Sequence, residues 1–373
     1  MDASDPIAGA MQSAVEAGVF PGAVLLVRFR GAVRYHRAVG LAATVPLPEP
    51  VSRDTIYDLA SLTKPLVTAT SILCLVQDGR LGLDVAVQDY LPELQARPVG
   101  GATVAHLLTH SSGLPAWRPF YERVAEQDKL RPGSLGSAAA KDYVLQLIGA
   151  EELAAPIGTE AVYSDLGFML LGLLVERLAG RSLADFVRER IYGPINAAPL
   201  FFLPTKDGQP QLPAGSIAPT EDDPWRGRML RGEVHDENAY ALGGIAGHAG
   251  LFGTASAVLA VSGCWLDAVK GRPSLLQSDL ARRFTGRQEI VPGSSWCLGW
   301  DSPSPPSSSG TKFSPRSFGH LGYTGTSLWV DPERELEVVL LSNRVHPTRK
   351  NDKIREFRPK IHDIIYQELM AGG

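Results

Sequence analysis

The chain is predicted to adopt an α+β fold, an antiparallel sheet flanked by helices and built from both chain ends, with a mostly helical stretch inserted between its parts. Two observations at the ends and one in the middle predict it. Near the N-terminus, GAVLLVRFRG (22–31) and AVRYHRAVG (32–40) are β-rich runs with a glycine between them, the pattern of a hairpin. Near the C-terminus, GTSLWVDP (325–332) and RELEVVLLSN (334–343) read as two further strands. Between these pairs, to about residue 200, apolar residues recur mainly at helical spacing.

In chain order, residues 5–18 carry apolar residues at helical spacing and predict a helix ahead of the hairpin. From Leu62 to about Asp78 the pattern is a buried helix, and GRLGLDVAVQDYLPEL continues as a turn and a short helix. AKDYVLQLIGAEEL (140–153) and LGFMLLGLLVERLAG (166–180) are the clearest helices. The second is apolar nearly all round, ends in basic and glycine stop signals, and therefore belongs in a core. Residues 203–236 and DSPSPPSSSGTKFSPRS (301–317) have the Pro, Asp, Gly and Ser content of long surface loops, which often border sites. A helix through IREFRPKIHDIIYQELM (354–370) closes the chain. Residues 1–373 read as one unit, divided approximately into 1–60 plus 240–373 for the sheet and 61–239 for the helical part.

Composition narrows the function. With 373 residues, 44% hydrophobic and 20% charged, the chain can bury a large core. A formal net charge of -4 and a pI near 6.1 leave no basic footprint for nucleic acid. Cys74, Cys264 and Cys297 are odd in number, far apart and without a CxxC, so they read as reduced buried thiols rather than metal ligands. The N-terminus is acidic and amphipathic, and no run of ~18 apolar residues exists to span a membrane. The chain as it stands reads as cytoplasmic, or as periplasmic or extracellular with a signal removed; oligomeric state is left open.

Ser61 and Lys64, in DLASLTKPLV (58–67), stand three apart where a polar stretch becomes an apolar helix, so both side chains share a face. A serine hydroxyl needs a base to become a nucleophile, and a lysine needs burial or a cationic neighbour before it can act as one. Ser309 and Lys312 match the same spacing but lie in the Pro/Ser-rich loop with no helix to fix them. Tyr163 and Asp165, in YSDLG, precede the apolar helix: the tyrosine could share the proton with Lys64, its phenol acidified by the ammonium, and the aspartate could simply cap the helix. GHLGYTGTSLW (319–329) is glycine-rich and enters a strand. It can offer an edge for an extended substrate, with the N–H of Tyr323 as an oxyanion donor. His248 in GHAG also fits a His-x-Gly pattern, although a lone histidine is more often structural. HPTRKNDKIREFRPK (346–360) could recruit an anion but reads first as a solvated helix start. No GxGxxG, GxxxxGK[ST], HExxH or GxSxG is present, so nucleotide, zinc-hydrolase and α/β-hydrolase chemistry is unsupported.

SLTK, then YSD, then HLG, in that order and at these separations, resemble the serine β-lactamase and penicillin-binding-protein superfamily, specifically its class C-like branch of β-lactamases, DD-peptidases and esterases. HLLTHSSGLP (106–115) and LFGTASAV (251–258) resemble that branch's connecting segments, and the similarity runs from about residue 10 to 370. The resemblance implies a β-lactamase/transpeptidase-like fold with the site between sheet and helices. It implies Ser61 as acylated nucleophile, Lys64 and Tyr163 as base system, the N–H groups of Ser61 and Tyr323 as oxyanion hole, and Asp165, His320 and Gly322 as substrate-binding. Asp165 stands where the branch usually has Asn, losing an amide donor, and His320 stands where true β-lactamases commonly have Lys. Both departures argue against an efficient β-lactamase. The expected function is a serine hydrolase, esterase-like or D-amino-acid peptidase-like, acting on a small-molecule or peptide acyl substrate without metal or organic cofactor. The alternatives are a weak β-lactamase and a non-turnover penicillin-binding sensor or scaffold.

Overall fold

In the computed structural model, which describes residues 5–206 and 215–371, the two chain ends meet in one sheet. The strands, in chain order, are β1 (Gly22–Phe29), β2 (Ala32–Ala43), β3 (Glu49–Pro50), β4 (Tyr57–Asp58), β5 (Leu200–Phe202), β6 (Asp222–Asp223), β7 (Arg228–Met229), β8 (Leu251–Gly253), β9 (Phe318–Leu321), β10 (Ser327–Asp331) and β11 (Leu336–Ser342). The main sheet runs β3-β2-β1-β11-β10-β9, every pair antiparallel, as the strand pairs at the two ends of the sequence predict. β4, β8 and β5 form a second, small sheet.

The period of two along β1 and β11 explains why both strands are apolar throughout. Leu25 and Val27 of β1, with Val338 and Leu340 of β11, share a cluster with Met11 of the helix Pro6–Glu16 and with Ile361 and Ile365 of the helix Ile354–Ala371. The alternate residues Val24, Leu26, Val339 and Leu341 face the larger core, against the helix Ala255–Val269. The sheet is thus the middle layer between helices. In the larger core lies the helix Asp165–Ala179, buried from Leu166 to Gly172 and stopped by Gly180 at φ 67°, within one residue of its predicted span. Truncating a zero-exposure side chain there, Leu170→Ala for instance, costs about 2–5 kcal/mol. No helix among the described residues is long and apolar enough to cross a membrane.

Three expectations need correction. The segment from Leu62 is one helical run, but it opens as a 3₁₀ turn at Ala60–Leu62 and continues as π-type turns at Lys64–Ala69 before becoming α-helix at Thr70–Gln77. The wide turn is seen in the Thr70 N–H donating to Pro65 O, five residues back. Residues 203–236 are not simply a surface loop: 207–214 lie outside the described residues, while Ile217, Thr220, Glu221 and Asp223 are buried. Likewise 301–317 buries Ser309, Phe313, Ser314 and Ser317. Polar side chains make this burial tolerable by serving the backbone, as when Asp331 accepts from the N–H and Oγ of Ser314 at 2.8 Å each.

Candidate active site

Ser61 sits in the 3₁₀ turn immediately after Ala60, a non-glycine residue held at φ 47°. The Asp58 carboxylate fixes this turn by accepting the Ala60 N–H at 2.9 Å. One turn on, Lys64 is fully buried, and its Nζ donates to Ser61 Oγ at 3.0 Å, Asp165 Oδ1 at 2.6 Å and the carbonyl of His248 at 3.1 Å. Three donors thus meet three acceptors, the arrangement of an ammonium. Burial alone would lower the Lys64 pKa, but Asp165 and then Tyr163 outweigh it and hold it above the ordinary lysine value.

Tyr163 comes from the loop before the helix Asp165–Ala179, and its hydroxyl interacts with both the Lys64 and Ser61 side chains. The Lys64 ammonium also lies 4.9 Å from the Tyr163 ring centroid. The sequence predicts an acidified phenol; instead burial raises it above its ordinary value, and the Lys64 ammonium offsets only part of that rise. His110, Trp296 and His320 pack around the ring at centroid distances of 4.6, 5.6 and 6.0 Å. Asp165 is not the helix cap: Ser164 occupies that position, and Asp165 is the first helical residue, its carboxylate turned to Lys64.

His320 lies on β9, an edge strand, as the sequence predicts. Its Nδ1 contacts Leu321 O at 2.8 Å, and burial, followed by repulsion from Lys64, pushes its pKa down to about 3, so the ring is neutral. The outer edge of β9 is closed at Gly319, which exchanges two backbone hydrogen bonds with Asp301, and the open part begins beyond it. Gly322 has a packing role as well as a place in the cavity wall. Its N–H donates to Thr326 O at 2.7 Å, and a Cβ would meet Thr326 Oγ1 at 1.9 Å and Leu59 O at 2.6 Å. Its bareness therefore lets β9 lie directly on the backbone leading to Ser61. Among the described residues, the N–H groups of Ser61 and Tyr323 have no acceptor, as an oxyanion pair requires.

These residues line one cavity of about 640 Å³, within the usual range for a small-molecule site. Ser61, Tyr163, Asp165, His320, Gly322 and Tyr323 all contribute to its wall. Ser309 does not; it is buried elsewhere and bonded to Ser307 Oγ at 2.7 Å. His248 does line the cavity, beside Asp236. The segment 346–360 is not merely a solvated helix start, because Arg349, Arg355 and Arg358 reach the cavity from it. The motif search missed Asp236, Trp117, Trp296 and Arg344 as wall residues. For Arg349, Arg355 and Arg358 the basic run 346–360 was the available signal, and Arg344 lies just before it; for Asp236 the sequence shows only a helix-capping aspartate.

The beta-lactamase family model matches residues 7–361. An Escherichia coli (strain K12) protein named "Putative D-alanyl-D-alanine carboxypeptidase" is 32% identical over 355 residues, covering 88% of this chain and 79% of that protein. A Bacillus subtilis (strain 168) protein named "N-acetylmuramyl-L-alanine amidase" is 32% identical over 354 residues, covering 88% of this chain and 78% of that one. Among solved structures, EstCE1, described as a hydrolase with promiscuous acyltransferase activity, superposes with a TM-score of 0.73 at 22% identity, covering 96% of this chain and 97% of that one, a likeness of fold. With the ordered motifs around one cavity and a family match across nearly its whole length, the chain belongs to the beta-lactamase family and is a serine hydrolase of the β-lactamase/transpeptidase-like fold.

Proposed function

We propose that this hydrolase cleaves an amide or ester whose reacting end carries a free carboxylate, as in an acyl-D-alanyl-D-alanine peptide, through an acyl-Ser61 intermediate. One observation carries the choice of substrate. Arg344, Arg355 and Arg358 line the cavity beside Gly322 and Tyr323, and none of the three has a carboxylate ion-pair partner among the described residues. Arg358 is 5% exposed and donates only to the carbonyls of Gly322 and Thr326, at 3.0 and 2.7 Å, while its Nε is buried without a partner. Burial, then repulsion from Arg344 and Arg355, pushes its pKa down to about 9. A buried cation without a counter-ion is costly, and a substrate carboxylate relieves it. By contrast Arg349 is already neutralised by Glu221 and Glu237. The names of the two relatives above agree with a peptide substrate.

Ser61 Oγ attacks the carbonyl, its proton passing by way of the Tyr163 hydroxyl to the small fraction of Lys64 present as the amine, a fraction that Asp165 limits by favouring the ammonium. The N–H groups of Ser61 and Tyr323 hold the oxyanion, and the leaving amine or alcohol takes the proton back. Water then releases the acid. The assay compares kcat/KM for an N-acyl-D-alanyl-D-alanine peptide with its C-terminal amide. A hydrogen bond to a charged group is worth about 1.5–3 kcal/mol, so the acid should exceed the amide about ten- to a hundredfold. Equal values would refute carboxylate recognition and favour a neutral-ester hydrolase.

A further inference from the structure

His248 lines the cavity at 1% exposure and has no role in the acylation described above. Its Nε2 lies 2.8 Å from Asp236 Oδ1, its Nδ1 is buried with no hydrogen-bond partner, and its carbonyl receives Lys64 Nζ at 3.1 Å. Burial would raise the Asp236 pKa, but His248, the Ala239 N–H and Lys64 hold it well below the carboxylate range, so Asp236 is ionised. In the neutral ring the Nε2–H donates to the Asp236 carboxylate, and Nδ1 then carries the lone pair.

The hydrolytic half of the reaction needs a base for water, and the other groups near Ser61 are poorly suited. Lys64 directs all three donors at acceptors. Tyr163 is held as a neutral phenol by burial, and His320, at about 3, is too weak a base. His110 is packed behind Tyr163, its Nδ1 receiving the Ser164 N–H at 3.1 Å. His235 is a second carboxylate-bound imidazole on the wall, 2.9 Å from Glu221, but Glu221 is already drawn to Arg349 and the ring lies against Tyr323.

We propose that the Asp236–His248 pair is the general base of deacylation. The inference rests on the acyl-Ser61 reading and adds to it a residue that separates hydrolysis from acylation. A water gives a proton to Nδ1 while its oxygen bonds to the acyl carbon. The tetrahedral intermediate collapses, the C–Oγ bond breaks with its electrons on Oγ, and Oγ takes a proton from Lys64. The proton on Nδ1 then restores Lys64, so one water is consumed and one acid released. Asp236 keeps the imidazole oriented and stabilises its charge, as carboxylates do for general-base histidines.

The test is pre-steady-state hydrolysis of an activated p-nitrophenyl ester by wild type, His248→Gln and Asp236→Asn, with acyl-enzyme followed by intact-protein mass spectrometry. General-base assistance contributes about 10²–10⁴-fold, so His248→Gln should keep a burst near one equivalent while steady turnover falls at least about a hundredfold. Acyl-enzyme should accumulate, and hydroxylamine, which needs no base, should restore turnover. Unchanged turnover, or burst and turnover falling together, would overturn the proposal; so would accumulation on His235→Gln in place of His248→Gln. If His248→Gln does not fold, Asp236→Asn decides, since asparagine retains the helix cap: accumulation supports the pair, wild-type turnover refutes it. A burst that survives in Ser61→Ala would instead refute the acyl-Ser61 reading.

Discussion

Asp165→Asn tests what sets the charge on Lys64. The ammonium and carboxylate lie 2.6 Å apart, with the lysine side chain at 0% and the aspartate at 18% exposure. At that distance and an effective dielectric constant of about 20, two unit charges attract by about 6 kcal/mol. Asparagine keeps an acceptor and loses the charge. A hydrogen bond between two charged groups is worth about 1.5–3 kcal/mol against about 1 when the acceptor is neutral, so the ammonium loses about 0.5–2 kcal/mol. Tyr163 is then the remaining counterweight to burial, and the amine fraction at fixed pH rises about two- to thirtyfold. The expected result is a kcat/KM for activated esters at pH 7 raised by that factor, with the ascending limb of the pH profile, along which the Lys64 amine forms, moved to lower pH. Stability should change in the opposite sense. In the wild type the raised Lys64 pKa stabilises the fold below the ordinary lysine value of 10.5, and the contribution fades as pH rises through the folded value. Without Asp165 that stabilisation shrinks, so the variant should lose Tm relative to the wild type at pH values below 10.5, where the ammonium is present, by up to the roughly 2 kcal/mol of the lost interaction. Because Ser164 is the helix cap, capping is not disturbed. The restored amide donor should also raise the penicillin-to-ester ratio of kcat/KM about fivefold, the worth of one hydrogen bond. A folded variant whose pH profile does not move, or moves upward, would refute the charge assignment. An unchanged ratio would remove the main reason for reading Asp165 as adverse to β-lactams.

Three further outcomes follow from the same geometry. Ser61→Ala should abolish covalent labelling by a fluorophosphonate or penicillin probe with the fold intact, and label found on Ser309 would sink the assignment. Lys64→Ala and Tyr163→Phe should each lose activity, while the double variant loses much less than the product of the two, because the hydroxyl and the ammonium interact; multiplicative losses in kcat/KM would mean that they act separately. Arg358→Gln and Arg355→Ala should each raise KM for a carboxylate-ended peptide about tenfold, one charged hydrogen bond, and leave neutral p-nitrophenyl esters unchanged; equal losses on both substrates would show that the arginines only support the fold.

What the sequence made legible was what local patterning controls. The alternation in 22–40 and 325–343 marks strands that the sheet pairs as β1, β2, β10 and β11, because a period of two places every second side chain on each buried face. Ser61 and Lys64 were visible because three residues on a helical run share a face, and the 3.0 Å contact bears that out. Environment was not visible. The Tyr163 neighbours were read correctly, but burial outweighs the nearby ammonium. The basic run 346–360 looked solvated because a sequence does not say which side of a helix start faces a cavity. Arg358 is 5% exposed, while Glu356, two positions earlier, is exposed. The Ser-rich 301–317 looked like surface because its polar side chains were counted as needing water, when many find partners within the chain.

The geometry at Ser61 also has long-range causes, and they join the two halves of the proposed chemistry. Ala60 at φ 47° is a strained residue that persists only where its surroundings over-determine it. Four hydrogen bonds from distant segments do so: Thr324 Oγ1 to Asp58 O at 2.8 Å, Thr326 Oγ1 to Leu59 O at 2.9 Å, Leu59 N to Leu251 O at 2.9 Å and Leu251 N to Thr63 Oγ1 at 3.2 Å. The Asp58 carboxylate adds a fifth tie, since one oxygen takes the Ala60 N–H and the other takes the His235 N–H at 2.7 Å. Burial raises the Asp58 pKa, and those two backbone donors offset part of the rise. His235 is followed directly by Asp236, the partner of His248. A single buried carboxylate therefore sets both the turn that presents Ser61 and the segment that holds the proposed base, so a change at Asp58 displaces acylation and deacylation together, whereas a change at His248 separates them.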